Sequence, residues 1–178
     1  CADEDVEELR KFPGVVAVYR KYKIYWGGFN VLKGELFLLK KALENCDADY
    51  FHLISGQDYP IKPFKEFLRF FERQKGTEFL ELMNLPFENW EEGTYRRFQF
   101  YGLYDWLKVQ TPRGSRIIYS IVDWQGKLGF KRRIPDQFNR LYGGSAWFSL
   151  TRESVAYLLK YTHRYPAFYR KLKYTFAP

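Results

Sequence analysis

A chain of 178 residues, 46% of them hydrophobic, is long enough for one domain with a real core and excludes a mainly disordered segment. Its formal charge of +8 is uneven: Asp3, Glu4, Asp5, Glu7 and Glu8 crowd the N-terminal stretch, and no acidic residue follows Glu153, so anions suit the C-terminal part. No apolar run approaches the roughly 20 residues that span a bilayer, and Cys1, Cys46, His52 and His163 are too few and too scattered for a structural zinc site.

In chain order, Asp3 to Phe12 reads as a short acidic helix, its carboxylates gathered at the N-terminal end that the helix dipole favours, with Gly14 ending it. Val15-Val16-Ala17-Val18-Tyr19 is β-branched enough to predict a buried strand. Residues 30–44 change period: Val31, Leu32, Glu35, Leu36, Leu38, Leu39, Ala42 and Leu43 recur at helical spacing, and Asn30 is the expected N-cap. Residues 50–54 form a short apolar run, the expected central strand, which leads into the turn-rich Ser55-Gly56-Gln57-Asp58-Tyr59-Pro60. Pro63 suits the first turn of a helix running to about Gln74, packed by Phe64, Phe67, Leu68 and Phe71.

Thr77 to Leu82 reads as another strand, after which the pattern is irregular to about residue 130, with an amphipathic helix expected near Arg116 to Trp124. Gly143 to Leu150 is a strand opened by glycines, followed by a helix from Arg152 to His163 capped by Thr151. Strands alternating with helices predict an α/β fold, a three-layer α/β/α sandwich with a largely parallel sheet. In such sheets ligands collect beyond the carboxyl ends of the strands, which singles out residues 55–60. Residues 1–178 are expected to form one domain.

Two readings stand for that loop. It binds a ligand, with Gly56 letting backbone approach and Asp58 as a polar contact, or it is a structural turn stiffened by Pro60. Asp47-Ala48-Asp49 has the form of a metal-binding pair but precedes its strand, so it is expected at the opposite edge as a solvated turn. After the strand there is one carboxylate, Asp58, and no metal site is predicted. Trp26, beside Gly27-Gly28 at a strand-to-helix junction, either stacks on a base or packs in the core. Arg96 and Arg97 either contact hydroxyls and anions or are solvated, and Glu81 either accepts a hydroxyl hydrogen bond or joins a salt bridge. Aromatic residues make up 21% of the chain, many in polar surroundings, which suits sugars or bases. No nucleophile elbow, phosphate-binding Gly-rich loop or dinucleotide fingerprint is present.

Three blocks in this order, Tyr25-Trp26-Gly27-Gly28-Phe29, Leu53 to Lys62, and Gly144 to Glu153, resemble the core-2 and I-branching β-1,6-N-acetylglucosaminyltransferase family, which also includes peptide xylosyltransferases. The resemblance covers about residues 10–160. It implies a GT-A-like nucleotide-sugar transferase fold and inverting, metal-independent transfer from a UDP-sugar, most readily N-acetylglucosamine, to a glycan or polysaccharide hydroxyl, with no cofactor. It puts Trp26 beside the uridine and Ser55, Gly56, Gln57 and Asp58 along the donor cleft. Glu81, Arg96, Arg97, Ser145 and Trp147 match its acceptor side. The family's opening β-α-β segment is expected before Cys1. Its glutamate base is expected beyond Pro178, leaving this portion inactive alone as a central piece of the enzyme.

The competing class is a single-stranded nucleic-acid-binding module built on the same basic and aromatic residues, and a third is a catalytically dead carbohydrate-binding domain. The family reading carries no nucleic-acid partner. Two cysteines without disulfide spacing point to a reducing compartment, hence a bacterial enzyme in the cytoplasm or peripheral at the cytoplasmic membrane face, with the Golgi lumen as the alternative.

Overall fold

The computed structural model describes residues 3–84, 96–132 and 142–176. Helix α1 (Asp3–Arg10) is closed on its exposed side by Arg10 donating to Glu7 at 2.7 Å, and Gly14 turns the chain at φ +88°. The following segment departs from expectation. Residues 15–19 join no ladder, and Val16 is 74% exposed. β-branched residues favour a strand only where a partner and a covering face exist. Here the chain instead lays Tyr19 and Tyr22 edge-on against Phe37, at 5.1 and 6.2 Å, on helix α2 (Phe29–Asn45).

Helix α2 is capped from a distance at both ends. Its N-cap is Gly28 rather than Asn30, and the missing acceptor is Asp105, whose Oδ1 takes the Asn30 N–H at 2.8 Å. A Cβ on Gly28 would lie 2.5 Å from that same oxygen, so glycine is what admits the remote cap. The Asn30 side chain donates to Lys23 O and accepts from Lys33. At the other end the Arg152 guanidinium donates to the carbonyl of Leu43 (3.4 Å), one of the last-turn groups that a helix end leaves without a helical partner, and to those of Cys46 (2.9 Å) and Ala48 (3.4 Å) just beyond it.

Strand β1 (Tyr50–Leu53), expected to be central, pairs with one strand among the described residues and so lies at the edge of its sheet. Alternation places Phe51 on one face, buried with Leu39 of α2 and the fully enclosed Val155, and Tyr50 and His52 on the other. That second face is covered by helix α3 (Phe64–Arg73): Phe71 sits 4.9 Å from Tyr50 and 4.6 Å from His52, and Phe67 lies 5.0 Å from His52. Helices thus cover both faces of the strand.

Beyond α3 come the two-residue strand β2 (Met83–Asn84), the single-turn helix α4 (Arg96–Gln99), helix α5 (Pro112–Lys127) and strand β3 (Tyr142–Gly143). Strand β4 (Phe148–Thr151), helix α6 (Arg152–Arg164), which carries Val155, and helix α7 (Pro166–Lys171) complete the order. α5 starts earlier than expected because Thr111 caps it, accepting from Gly114 N at 3.1 Å with Pro112 in the first turn. Thr151 caps α6 as expected, accepting from Ser154 N at 3.2 Å, and Glu78 accepts from Thr151 N, Thr151 Oγ1 and Ser154 Oγ.

The expected parallel pairing is not what the described strands form. β1 and β4 are antiparallel, with His52 opposite Ser149 and Leu53 opposite Phe148, and β2 and β3 are antiparallel as well. A helix-strand alternation in sequence says nothing of strand direction, and the Thr151 cap turns α6 back beside Tyr50. The expected strand 77–82 survives as Phe79, which exchanges backbone hydrogen bonds with Ser149 at 2.9 and 2.8 Å and so extends the ladder past β4. Between that bridge and the β2–β3 pair, residues 144–147 leave the ladder. A second core lies apart, built from Tyr104, Val109, Ile118 of α5 and Phe176. Among the described residues no helix is long and apolar enough to cross a membrane.

Candidate functional site

The loop after β1 is held by its own polar groups. Ser55 N–H donates to Asp58 Oδ2 at 2.5 Å, Asp58 N–H returns to Ser55 O at 3.2 Å, and Gln57 N–H donates to Ser55 Oγ at 3.3 Å. Ser55 thus opens a serine-type turn, Asp58 reaches back to close it on the Ser55 N–H, and Pro60 and Pro63 carry the chain into α3. Gly56 is not demanded by neighbours, since a Cβ there would meet nothing within 4 Å.

The interrupted stretch 144–147 comes to meet this loop. Gly144 passes so close to Glu81 that an added Cβ would lie 1.9 Å from the Glu81 carbonyl oxygen. Only glycine allows that approach, and it lets Ser145 N–H donate to Glu81 Oε2 at 3.0 Å. Ser145 Oγ then accepts from Trp147 N–H at 3.2 Å, and the indole Nε1–H of Trp147 donates to Asp58 Oδ2 at 2.6 Å. A continuous chain of hydrogen bonds so links Glu81, Ser145, Trp147, Asp58 and Ser55, five of the residues singled out in the sequence.

Of these five, Asp58 and Trp147 line a cleft of about 960 Å³ at the C-terminal end of β1, whereas Ser55, Glu81 and Ser145, like Gly56 and Gln57, are not among its lining residues. Its wall includes His52, Asp58, Tyr59, Lys62, Phe67 and Trp147, and it is mostly apolar with a few convergent polar groups, the usual make-up of a small-molecule site. The Ser55 backbone N–H, then the Trp147 indole N–H, hold the Asp58 carboxyl below the usual carboxylate range, against a smaller opposing effect of burial. Burial among Phe67, Phe71 and Tyr50 pushes His52 below its ordinary imidazole value and so favours the neutral ring. Its Nδ1 lies 2.7 Å from Ser149 Oγ, directly across the ladder. Sequence reasoning missed His52 and Ser149. The signal was present: alternation from Tyr50 puts the residue at 52 on the face beside the loop.

Trp26 is not among the side chains lining this cleft. It packs edge-on against Phe176 at 4.7 Å, and the Arg97 guanidinium lies over the same ring at 4.8 Å. Gly27, at φ +79°, leaves no room for a Cβ, which would lie 2.3 Å from Phe176. The predicted residues therefore sort by place: one set around Asp58 and Trp147, another around Phe176. The side chain of Arg96 lies outside the described residues. Asp47 and Asp49 sit at the other end of β1, where Asp47 is exposed, 3.8 Å from Arg152, and Asp49 O accepts from Arg152 N–H. Among the described residues no cluster of three or more His, Cys, Asp or Glu is placed to hold a metal ion.

Mixed helices and short sheets, with a cleft beyond a strand end, are what an α/β glycosyltransferase of this size would present. The model of the Core-2/I-Branching enzyme family matches residues 2–176, nearly the whole chain. The chain belongs to the Core-2/I-Branching enzyme family and is thereby a glycosyltransferase, a class of enzyme that transfers a sugar from a nucleotide-sugar donor to a glycan acceptor and releases the nucleotide.

Proposed function

We propose that this chain binds the donor and the acceptor for transfer of a sugar, N-acetylglucosamine, from its UDP derivative to a glycan hydroxyl, with inversion and without a metal ion, on a GT-A-like frame. The reading is carried by the cleft that joins the loop after β1 to Trp147. Two segments 89 residues apart converge there on one ligand-sized space. Trp26, 56% exposed on its Phe176 support, offers a flat face for uracil, and Ser55 to Asp58 carry the donor sugar toward the acceptor side at Glu81, Ser145 and Trp147.

Inverting displacement requires a base for the acceptor hydroxyl and positive charge for the departing diphosphate. Lys62 is a cation in the cleft wall suited to the second task. In place of a metal, lysine and arginine side chains take that task.

Calorimetric titration with UDP and UDP-N-acetylglucosamine, in buffer with and without EDTA, tests this. Equal binding in both buffers, abolished in Trp26→Ala, is the expected result. Binding that EDTA removes would overturn metal independence. Absence of UDP binding together with salt-steep binding of a single-stranded oligonucleotide would overturn the whole reading.

A further inference from the structure

Trp147 presents an unusual combination: a large ring, 53% exposed, yet fixed at its polar edge. An exposed indole held by nothing samples several rotamers, and ordering it on ligand binding costs free energy. Here the ring is ordered in advance. Its Nε1–H ends on Asp58 Oδ2, the same oxygen that takes the Ser55 N–H, and its backbone N–H ends on Ser145 Oγ. Asp58 itself cannot drift, because the Ser55–Asp58 turn fixes it from the loop side.

We propose that Asp58 is a positioning residue, whose carboxylate holds the Trp147 indole by its Nε1–H so that the ring face becomes a preset wall on which a pyranose stacks. This rests on the reading of the cleft as a sugar site. Two protein donors, the Ser55 N–H and the Trp147 indole N–H, converge on Asp58 Oδ2, so that oxygen is committed to holding the loop and the ring. A pyranose offers a C–H face that matches an aromatic plane, while its hydroxyls reach polar groups at the edge. His52 and Ser149, in the wall of the same cleft, supply such groups.

The test reads the indole N–H signals of the 15N-labelled chain, Trp147 assigned by its loss in Trp147→Phe, together with oligosaccharide binding by calorimetry. In Asp58→Ala the Trp147 indole signal is expected to move toward the position of a solvent-bonded indole and to exchange faster with water, with the other indole signals in place. Oligosaccharide affinity is expected to fall about tenfold. In the Trp147→Phe background, which keeps a ring but lacks the donor, adding Asp58→Ala is expected to change affinity less than twofold. Asp58→Asn, which retains an acceptor oxygen, is expected to restore most of the signal position and affinity.

A Trp147 signal unmoved by Asp58→Ala, or an equal tenfold loss in the Trp147→Phe background, overturns the positioning role while leaving the sugar cleft standing. A signal that moves in a protein whose wild type binds no oligosaccharide overturns the sugar reading, and the stacking wall with it, while leaving the hydrogen bond standing.

Discussion

Trp26 and Trp147 are exposed to nearly the same extent, 56% and 53%, yet they are held in different ways. Trp147 is tied by its N–H to a carboxylate at the edge of a cleft, above the core of Leu39, Phe51 and Val155. Trp26 is held by ring packing on Phe176, which belongs to the core of Tyr104, Val109 and Ile118. Equal exposure therefore conceals one indole positioned by hydrogen bonding and one positioned by apolar contact. The first should respond to charge and pH in its surroundings, the second to packing volume.

The largest effect should come from emptying the core beneath the cleft. Phe51→Ala removes a buried ring between α2 and α6 and should cost about 3–5 kcal/mol in urea melts, a typical large-to-small loss; a loss below 1 kcal/mol would mean that this core does not support the cleft. Next, each region depends on one glycine, and Gly27→Ala and Gly144→Ala should each cost about 1–3 kcal/mol by overpacking. The two should separate in binding, with Gly27→Ala weakening UDP and Gly144→Ala weakening the oligosaccharide. Identical binding profiles would erase the distinction between the regions.

Thr151→Ala should cost about 1 kcal/mol as a lost N-cap. The smallest effects are electrostatic. Burial pushes the Glu35 carboxyl up to about 7. Its folded pKa is above the unfolded value, so its favourable share is fully present below about 4.5 and is lost as pH rises through 7. Glu35→Gln should leave stability at pH 4 nearly unchanged and raise it at pH 8. Glu78 has the opposite sign: burial raises it, but the hydrogen bonds from Ser154 and Thr151 together bring it below the ordinary value. Its share is present above the usual glutamate range and is lost as pH falls through the folded value, so Glu78→Gln should flatten the acid limb of the stability curve.

The sequence made the helices legible where period and cap agreed. α3 and α6 fell close to their expected bounds because aromatic spacing and Thr151 mark them locally. The N-cap of α2 was misplaced because its true acceptor, Asp105, lies 75 residues from Asn30, beyond any local signal. Strand direction and the fate of residues 15–19 were also hidden, since β-branched composition reports fitness for a sheet and not the presence of a neighbour. At the site, Asp58 and Trp147 were both singled out, but on opposite sides of the reaction. Nothing in a single sequence announces that one carboxylate oxygen will join them.

The central claim is that the two indoles serve different ends of one transfer. Its most direct test is a titration of the 15N-labelled chain followed at its indole N–H signals. UDP alone should shift Trp26 and leave Trp147 in place, while UDP-N-acetylglucosamine and a glycan acceptor should shift Trp147. Signals at both tryptophans that stay fixed under saturating donor and acceptor would contradict the account.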